Sequence, residues 1–430
     1  MSILAVQITQ TDKSLRELLT GNVLILTVSR ILWSMSDALV LPYLSLYILA
    51  LGGDKPTIGW VNAMGSIAAC ILYPLGGYIA DKAGRAKFVG ISTRLYVSSF
   101  LIFAFSPDWR WVALAVTYQN IVLFYMPALN AIMADSIPPG ARGKLYALTI
   151  AIPNAVRIFT PYIGGLLIDR MELIPAMRLG YMISFAVGLL VSFLRIKYLK
   201  ETIRGEGIGR DILKILREGY GDAFRSIKWT FQNIRGYALV SMLMATLGSI
   251  VLPFWVVFAN EVIGISEYQF GVIMLVGGIG KTIFSLVIGP LVDRIGSKKC
   301  FLITFAISIP GMYLFTLAKS FWTAMIVYFL LVISSAFMWI ASSAYLANSI
   351  PREMRGRVMA GLGSGMSVGV TGGGYSSGFL IFIPMSIGSI ISGYIYDYNA
   401  ALPWILQTVF LTVGLIMTMI WLKDPENAQV

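Results

Sequence analysis

The chain has 430 residues, of which 57% are hydrophobic and only 13% are charged. Because soluble domains carry about 25% charged residues, this composition excludes an ordinary soluble globule. The sequence contains no histidine, which excludes histidine-ligated metal sites and acid–base catalysis by histidine. The two cysteines, Cys70 and Cys300, lie far apart in apolar segments and predict neither a metal site nor a disulfide framework.

Twelve apolar runs are long enough to cross the hydrocarbon core of a bilayer as helices, which takes about 20 residues each. We call them spans 1 to 12. They are predicted at residues 22–49, 57–80, 88–106, 110–135, 144–168, 175–197, 236–260, 268–292, 300–318, 321–347, 377–396 and 401–422. The predicted fold class is an all-α membrane protein with 12 transmembrane helices. The lipid bilayer is therefore one of its predicted partners.

The basic residues lie mainly on one side of these spans. The loops after spans 2, 4, 6, 8 and 10 and the two tails carry 24 of the 33 Lys and Arg residues, whereas the opposite loops carry five. Cytoplasmic loops show this excess of positive charge. The pattern predicts a multi-pass plasma-membrane protein with both termini in the cytoplasm. It also explains the net charge of +12 without a nucleic-acid partner.

Span 1 contains two ionisable residues, Arg30 and Asp37, on one helix face. They are about 10.5 Å apart along the axis, so each needs a partner on another helix or in a bound ligand. Asp37 is the one carboxylate found at mid-depth, which makes it the candidate for coupling transport to protons. The alternative is a structural ion pair with a basic residue elsewhere.

An internal repeat relates the two halves of the chain. The loop after span 2 reads GYIADKAGRAK at 77–87, and the loop after span 8 reads GPLVDRIGSKK at 289–299. A second pair follows spans 4 and 10, with ADSIPPGARGK at 134–144 and ANSIPREMRGR at 347–357. Such a repeat predicts two six-helix bundles around an axis along the membrane normal, with a solute site between them near the midplane. The predicted units are residues 1–198, a cytoplasmic linker at 199–235, and residues 236–430.

These motifs resemble those of the major facilitator superfamily, and the resemblance covers both halves. It implies a transporter in which the loop after span 2 latches the outward-facing state at the cytoplasmic face. Independently, Gly77 would allow a close helix approach, and Asp81 would face a neighbouring helix N-terminus, which favours negative charge. A basic loop that only sets topology is the alternative. The predicted gating residues are Gly77, Asp81, Gly84, Arg85, Asp135, Arg142, Gly289, Asp293 and Arg355.

Further polar and aromatic residues lie at bilayer depth in the later spans. Lys281 is about 18 Å from the cytoplasmic end of span 8, too far to reach the surface. We therefore expect Lys281 and Arg157 to face an aqueous cavity. Each tryptophan has lipid or helix packing as its alternative role. The predicted binding residues are Arg30, Asp37, Gln119, Asn154, Arg157, Lys281, Trp255 and Trp339.

The charge balance at mid-depth is basic, with four cationic side chains and one carboxylate. A cavity with this excess favours an anionic solute. The family's drug–proton antiporters carry a basic residue where this chain has Val116, and the PYIGG sequence of span 5 matches only the end of an antiporter motif. This departure puts a standard drug antiporter in doubt but leaves efflux open.

Two segments outside the regular spans need separate predictions. Residues 210–228 are amphipathic and are predicted to form a linker helix along the membrane surface, with a regulatory site as the alternative. Residues 361–378 contain eight glycines. They are predicted to form a cytoplasmic extension and hinge before span 11. The alternative is a helix broken near Gly372 that exposes backbone groups to a substrate.

Together these features predict a secondary active transporter of a small solute, coupled to protons and working by efflux or exchange. The alternatives are an uptake permease for an organic anion and a non-transporting membrane sensor on the same fold. We expect no enzyme, because the sequence shows no nucleophile–base pair and no nucleotide-binding motif. No cofactor and no metal are expected, and the protein is expected to be a monomer.

Overall fold

The computed structural model describes residues 19–137, 142–203, 212–370 and 378–424. Within these ranges the chain is helical without strands, and twelve helices are long and apolar enough to cross a membrane. This confirms the predicted fold class and the predicted number of spans. The spans are Gly21–Ala50, Lys55–Ala83, Arg85–Ala104, Trp109–Ser136, Leu148–Met171, Leu173–Tyr198, Arg235–Ile263, Glu267–Ile295, Ser297–Thr316, Phe321–Ser349, Phe379–Tyr398 and Leu402–Trp421.

The two loop motifs of the repeat fold into the same turn. Gly84, with a φ of +89°, follows the last residue of span 2, and Gly296, with a φ of +86°, follows the last residue of span 8. Glycine adopts this left-handed region without the steric cost that a side chain would bring. The next spans begin one residue later, so each motif is a sharp corner between two transmembrane helices.

Small residues bring the two halves, spans 1–6 and spans 7–12, into close contact. A methyl group on Gly165 in span 5 would lie 2.5 Å from the carbonyl oxygen of Glu267 in span 8. Spans 2 and 11 pack in the same way, because Gly59 faces the backbone of Ser389 and Gly393 faces the backbone of Lys55. Helices in membranes rely on such small residues because lipid provides little hydrophobic drive for their association.

Polar contacts also join the halves at the face predicted to be extracellular. Lys55 forms an ion pair with Glu261, at the start of span 2 and the end of span 7. Trp60 Nε1 donates to the hydroxyl of Tyr394 at 3.0 Å. The structure is therefore closed between the halves at this face.

The amphipathic linker forms a helix, Ile212–Asn233, as predicted. It packs against span 2 and against a short helix that precedes span 11. The Tyr220 hydroxyl donates to the Ile71 carbonyl of span 2 at 2.6 Å, and Ser226 and Thr230 are buried. Its Phe224 side chain is exposed. The linker helix thus contacts the protein along one face.

The glycine-rich segment enters the C-terminal half instead of extending into the cytoplasm. A helix, Arg352–Leu362, ends before an irregular stretch at 363–370, and span 11 begins at Phe379. Within this stretch Gly369 lies against Gly248 of span 7, and Val368 and Val370 are buried. The predicted cytoplasmic extension is therefore wrong for residues 363–370. The break predicted near Gly372 lies outside the described residues.

Candidate transport site

An ion pair at mid-depth joins spans 1 and 5. Arg157 Nη2 lies 3.7 Å from Asp37 Oδ2, so the structural pair considered as the alternative for Asp37 is present. The Asp37 side chain is 19% exposed and that of Arg157 is 46% exposed. The distance is longer than a hydrogen bond, so the two charges attract without a fixed geometry. Such a contact can open without breaking a short directional bond.

Lys281 of span 8 brings the second half to this pair. It lies close enough to Arg157 for the two positive charges to repel each other. One turn away, Gly278 packs against Ile158, where a methyl group on the glycine would meet the isoleucine side chain at 3.1 Å. Arg157 is therefore near both Asp37 of its own half and Lys281 of the other half. That Arg157 and Lys281 face an aqueous cavity stays a prediction.

Two tyrosines that the sequence did not single out lie near Asp37. Tyr96 of span 3 and Tyr181 of span 6 are both near enough to interact electrostatically with this carboxylate. The Tyr96 ring packs against Trp33 with centroids 5.2 Å apart and against Tyr125 at 6.3 Å. Because these rings belong to spans 1, 3, 4 and 6, no single span shows the arrangement in its sequence.

A buried arginine lies in the same half. Arg195, near the end of span 6, is only 4% exposed, and its Nη1 donates to the Thr93 hydroxyl at 2.8 Å. Tyr125 is its second partner. In the sequence, Arg195 lies so close to Lys197 and Lys200 that it resembles a cytoplasmic loop charge. The signal was its place within an apolar helix, one turn before the loop begins.

The other predicted binding residues are more scattered. Asn154 is exposed one turn from Arg157, whereas Arg30 is half-buried in span 1. Gln119 donates to the Ser99 hydroxyl at 3.2 Å inside the N-terminal half. Their roles in binding stay predictions.

The two predicted tryptophans lie apart from the charged residues. Trp255 is 1% exposed, packs against Phe315 and Trp404, and donates to the Gly369 carbonyl at 2.8 Å. This position matches the helix-packing alternative. Trp339 is half-buried beside Gly365. The structure does not bring either ring to Asp37.

The predicted gating residues of the N-terminal half form a connected group. Arg85 Nε lies 2.7 Å from Asp81, and its Nη1 lies 2.6 Å from Asp135. This links the ends of spans 2, 3 and 4. The side chain of Arg142, their predicted partner, lies outside the described residues.

Two details of the predicted latch are wrong in this structure. A methyl group on Gly77 or Gly289 would meet nothing within 4 Å, so neither glycine mediates a close helix approach. That role falls to Gly76, which lies against the Phe124 carbonyl. Asp81 pairs with Arg85, and it caps no helix among the residues that the structure describes.

The N-terminus of span 3 is capped instead by Glu201, just after span 6. Its carboxylate accepts from the backbone N–H of Ala86 at 3.0 Å. The second half repeats this arrangement, because Asp424, just after span 12, accepts from Lys298 N–H at 2.9 Å. A further repeat, YLKE at 198–201 and WLKD at 421–424, marks both caps in the sequence.

The second copy of the latch is incomplete. Ser297 occupies the position of Arg85, and Asn348 occupies that of Asp135. Asp293 is exposed and has no ion pair within the part of the chain that the structure describes. Arg355 Nη2 donates to the Ala347 carbonyl at 2.7 Å and so caps the end of span 10.

Comparisons with known proteins cover almost the whole chain. Residues 26–226 and 237–430 match the family model described as Major Facilitator Superfamily. The chain is 21% identical over 397 residues to Multidrug resistance protein 2 of Bacillus subtilis (strain 168), with 90% of this chain and 92% of the relative covered. It is 21% identical over 384 residues to Quinolone resistance protein NorA of Staphylococcus aureus (strain MRSA252), with 89% and 92% covered.

A third relative is the Na⁺, Li⁺, K⁺/H⁺ antiporter of Planococcus maritimus, 22% identical over 360 residues, with 75% of this chain and 80% of the relative covered. Among solved structures, the nucleoside transporter NupG matches with a TM-score of 0.65 and 17% identity, covering 94% of this chain and 98% of that one. A D-xylose–proton symporter matches with a TM-score of 0.67 and 14% identity, covering 94% and 98%. At these identities the structures show the shared fold alone.

Proposed function

The chain belongs to the major facilitator superfamily and is a membrane transporter, and we propose that it exports or exchanges a small solute in a proton-coupled, alternating-access cycle. The observation that carries this proposal is the loose Asp37–Arg157 pair beside the interface of the halves. We further propose that it acts as a monomer in the plasma membrane. Both termini lie in the cytoplasm in this proposal, because the basic loops predict that orientation.

Protonation of Asp37 would change the charge of the cluster by one unit. With the carboxylate ionised, Arg157 has a counter-ion within 3.7 Å. Once a proton neutralises Asp37, Arg157 loses this counter-ion, and its repulsion with Lys281 across the interface disfavours the arrangement in which the two halves meet here. Proton binding would thereby bias the two halves between conformations, which is what coupling requires.

The names of the relatives support efflux or exchange over uptake. Two of the relatives are named resistance proteins and one is named a cation/proton antiporter. Those names describe the relatives, and their substrates are not assigned to this chain. Val116 marks the difference from standard drug antiporters, because it leaves span 4 without their basic residue.

Reconstituted protein tests the coupling. A solute would first be found by thermal-shift screening, beginning with a quinolone, and its flux would then be measured in proteoliposomes with an imposed pH gradient. We expect Asp37→Asn to abolish gradient-driven flux while leaving exchange down a solute gradient. Asp169→Asn is the matched control, because Asp169 is an exposed carboxylate near the end of span 5, twelve residues beyond Arg157. If Asp37→Asn retains gradient-driven flux, Asp37 is not the coupling residue.

Uptake of an organic anion is the second candidate. It is favoured by the position of Lys281 beside Arg157, which brings a cation from each half to the interface. Lys281→Gln should then weaken binding of a carboxylate solute more than binding of its uncharged amide. Equal binding of the two solutes by the wild-type protein would remove this candidate.

A further inference from the structure

The linker helix lies level with the last turns of the membrane spans, at the face that carries the basic loops. A methyl group on its Gly219 would lie 2.8 Å from the Leu75 side chain, eight residues before span 2 ends at Ala83. Eight helical residues cover about 12 Å. The linker helix ends at Asn233, and span 7 begins at Arg235. The helix is therefore held beside the spans and does not extend freely beyond their ends.

One face of the linker helix is used by contacts with the protein. Ala223, Ser226 and Thr230 are buried, and their spacing of three and four residues places them on one side of the helix. The helix packs against span 2 of the first half and against the helix Arg352–Leu362 of the second. It thus contacts both halves, and its remaining surface is left to meet another partner.

A second face carries two phenylalanines and two cations. Arg217, Phe224, Lys228 and Phe231 follow one another at intervals of seven, four and three residues, which places them in one stripe along the helix. The Phe224 side chain is 69% exposed and that of Phe231 is 37% exposed. Arg217 and Lys228 are exposed as well. We call these four residues the aromatic–basic stripe, because it offers apolar surface and positive charge at the same place.

The acidic residues of the linker helix lie on a third face. Glu218 is exposed about 120° around the helix from Phe224, at about 100° per residue. Arg225, about 100° from Phe224 on the same side, lies 3.6 Å from Asp222. The helix thus has one face for protein, one apolar and basic face, and one polar face. These are the three faces that a helix needs where protein, bilayer and water meet.

Phospholipid fits the aromatic–basic stripe better than water does. Helices that lie in the membrane interface bury phenylalanine about 5–10 Å into the boundary between headgroups and acyl chains, while Lys and Arg stay at the headgroups. Basic residues at this depth attract anionic lipids. We propose that the aromatic–basic stripe docks into the adjacent lipid leaflet and that Arg217 and Lys228 bind the headgroup phosphate of an anionic phospholipid. The proposal does not rest on proton coupling or on the direction of transport.

Fluorescence quenching from the lipid and from the water tests the docking. Phe224→Cys is made in the full-length protein without its native cysteines (Cys70→Ser and Cys300→Ser) and is labelled with bimane. The protein is placed in nanodiscs of equal parts phosphatidylglycerol and phosphatidylcholine. One quencher is phosphatidylcholine with a nitroxide near the top of its acyl chain, and the other is aqueous iodide.

The matched control is Glu218→Cys, because Glu218 is also exposed but lies on the polar face. The ratio of lipid quenching to iodide quenching should be roughly threefold or more higher at position 224 than at position 218, because a docked ring lies below the headgroups. Phe231→Cys should behave like Phe224→Cys, and it replaces that variant if Phe224→Cys does not fold.

Moving the nitroxide between lipids tests the role of the two cations. With the label at position 224, nitroxide-carrying phosphatidylglycerol should quench more strongly than the same amount of nitroxide-carrying phosphatidylcholine. Arg217→Gln and Lys228→Gln should each lower this preference roughly threefold to fivefold. Arg225→Gln is the control, because it removes the same charge from the polar face. It should retain most of the preference.

The outcomes separate the lipid from other occupants of the stripe. Iodide quenching at position 224 as strong as at position 218 would place the stripe in water and overturn the docking. Weak quenching by both reagents would mean that protein covers the stripe, which also overturns it. Equal losses of lipid preference in Lys228→Gln and Arg225→Gln would overturn the headgroup contact. Asp37→Asn should leave every quenching ratio unchanged, so this proposal and proton coupling can fail separately.

Discussion

Replacing Gly369 with alanine should destabilise the C-terminal half, because the glycine meets two separate requirements. Its φ of +77° lies in the left-handed region, where a side chain costs about 1–2 kcal/mol. A methyl group would also lie 2.5 Å from the Cα of Gly248 in span 7. Such overpacking costs about 1–3 kcal/mol. The expected loss of unfolding free energy is therefore about 2–5 kcal/mol.

Gly264→Ala is the matched control for this prediction. Gly264 has a φ of +76°, but a methyl group there would meet nothing within 4 Å. Only the backbone cost of about 1–2 kcal/mol should appear. Thermal unfolding in detergent, followed by tryptophan fluorescence, should rank the midpoints as wild type, then Gly264→Ala, then Gly369→Ala. Equal midpoints for the two variants would refute the close packing of the irregular stretch against span 7.

Three further predictions concern hydrogen bonds and a cap. Trp255→Phe should lower the free energy of unfolding by about 1–3 kcal/mol, because it leaves the Gly369 carbonyl unpaired. Trp404→Phe should lower it less, because the Trp404 N–H has no partner among the described residues. The same unfolding assay compares the two variants. Glu201→Gln should lower stability by about 1 kcal/mol, because a charge-assisted cap on span 3 becomes neutral, and an unchanged midpoint would count against the cap. Hydrogen bonds from the Thr57 hydroxyl and N–H lower the pKa of Asp54. The ionised carboxylate therefore stabilises the folded protein fully above the ordinary aspartate pKa, and this contribution is lost as the pH falls through the lowered pKa. Asp54→Asn should flatten that part of a pH–stability profile.

The spans and their corners could be predicted because each depends on local sequence. Apolar length alone places the twelve helices, and the glycine at position 84 or 296 lets the chain turn between two of them. The partner of Asp37 could not be chosen in the same way. A charge in the membrane needs a counter-ion, but the sequence does not say which of several cations lies nearby, and the structure selects Arg157.

The path of the irregular stretch, residues 363–370, could not be predicted from the sequence either. Its glycines indicate that a continuous helix is unfavourable, yet they do not indicate whether the chain turns towards water or into the protein. That choice depends on donors from distant spans, such as Gln407 and Trp255, which satisfy its carbonyls. Neither residue carries a sequence signal for this role.

The paired caps have a consequence for how the protein is made. Glu201 caps span 3, and the neighbouring Lys200 N–H donates to Asn22 at 2.7 Å at the start of span 1. The first bundle therefore receives its closing contacts from residues that follow span 6 directly. None of these contacts requires span 7, so they can form before the second six helices have been synthesised. Asp424 closes the second bundle in the same way, from the residues that directly follow span 12.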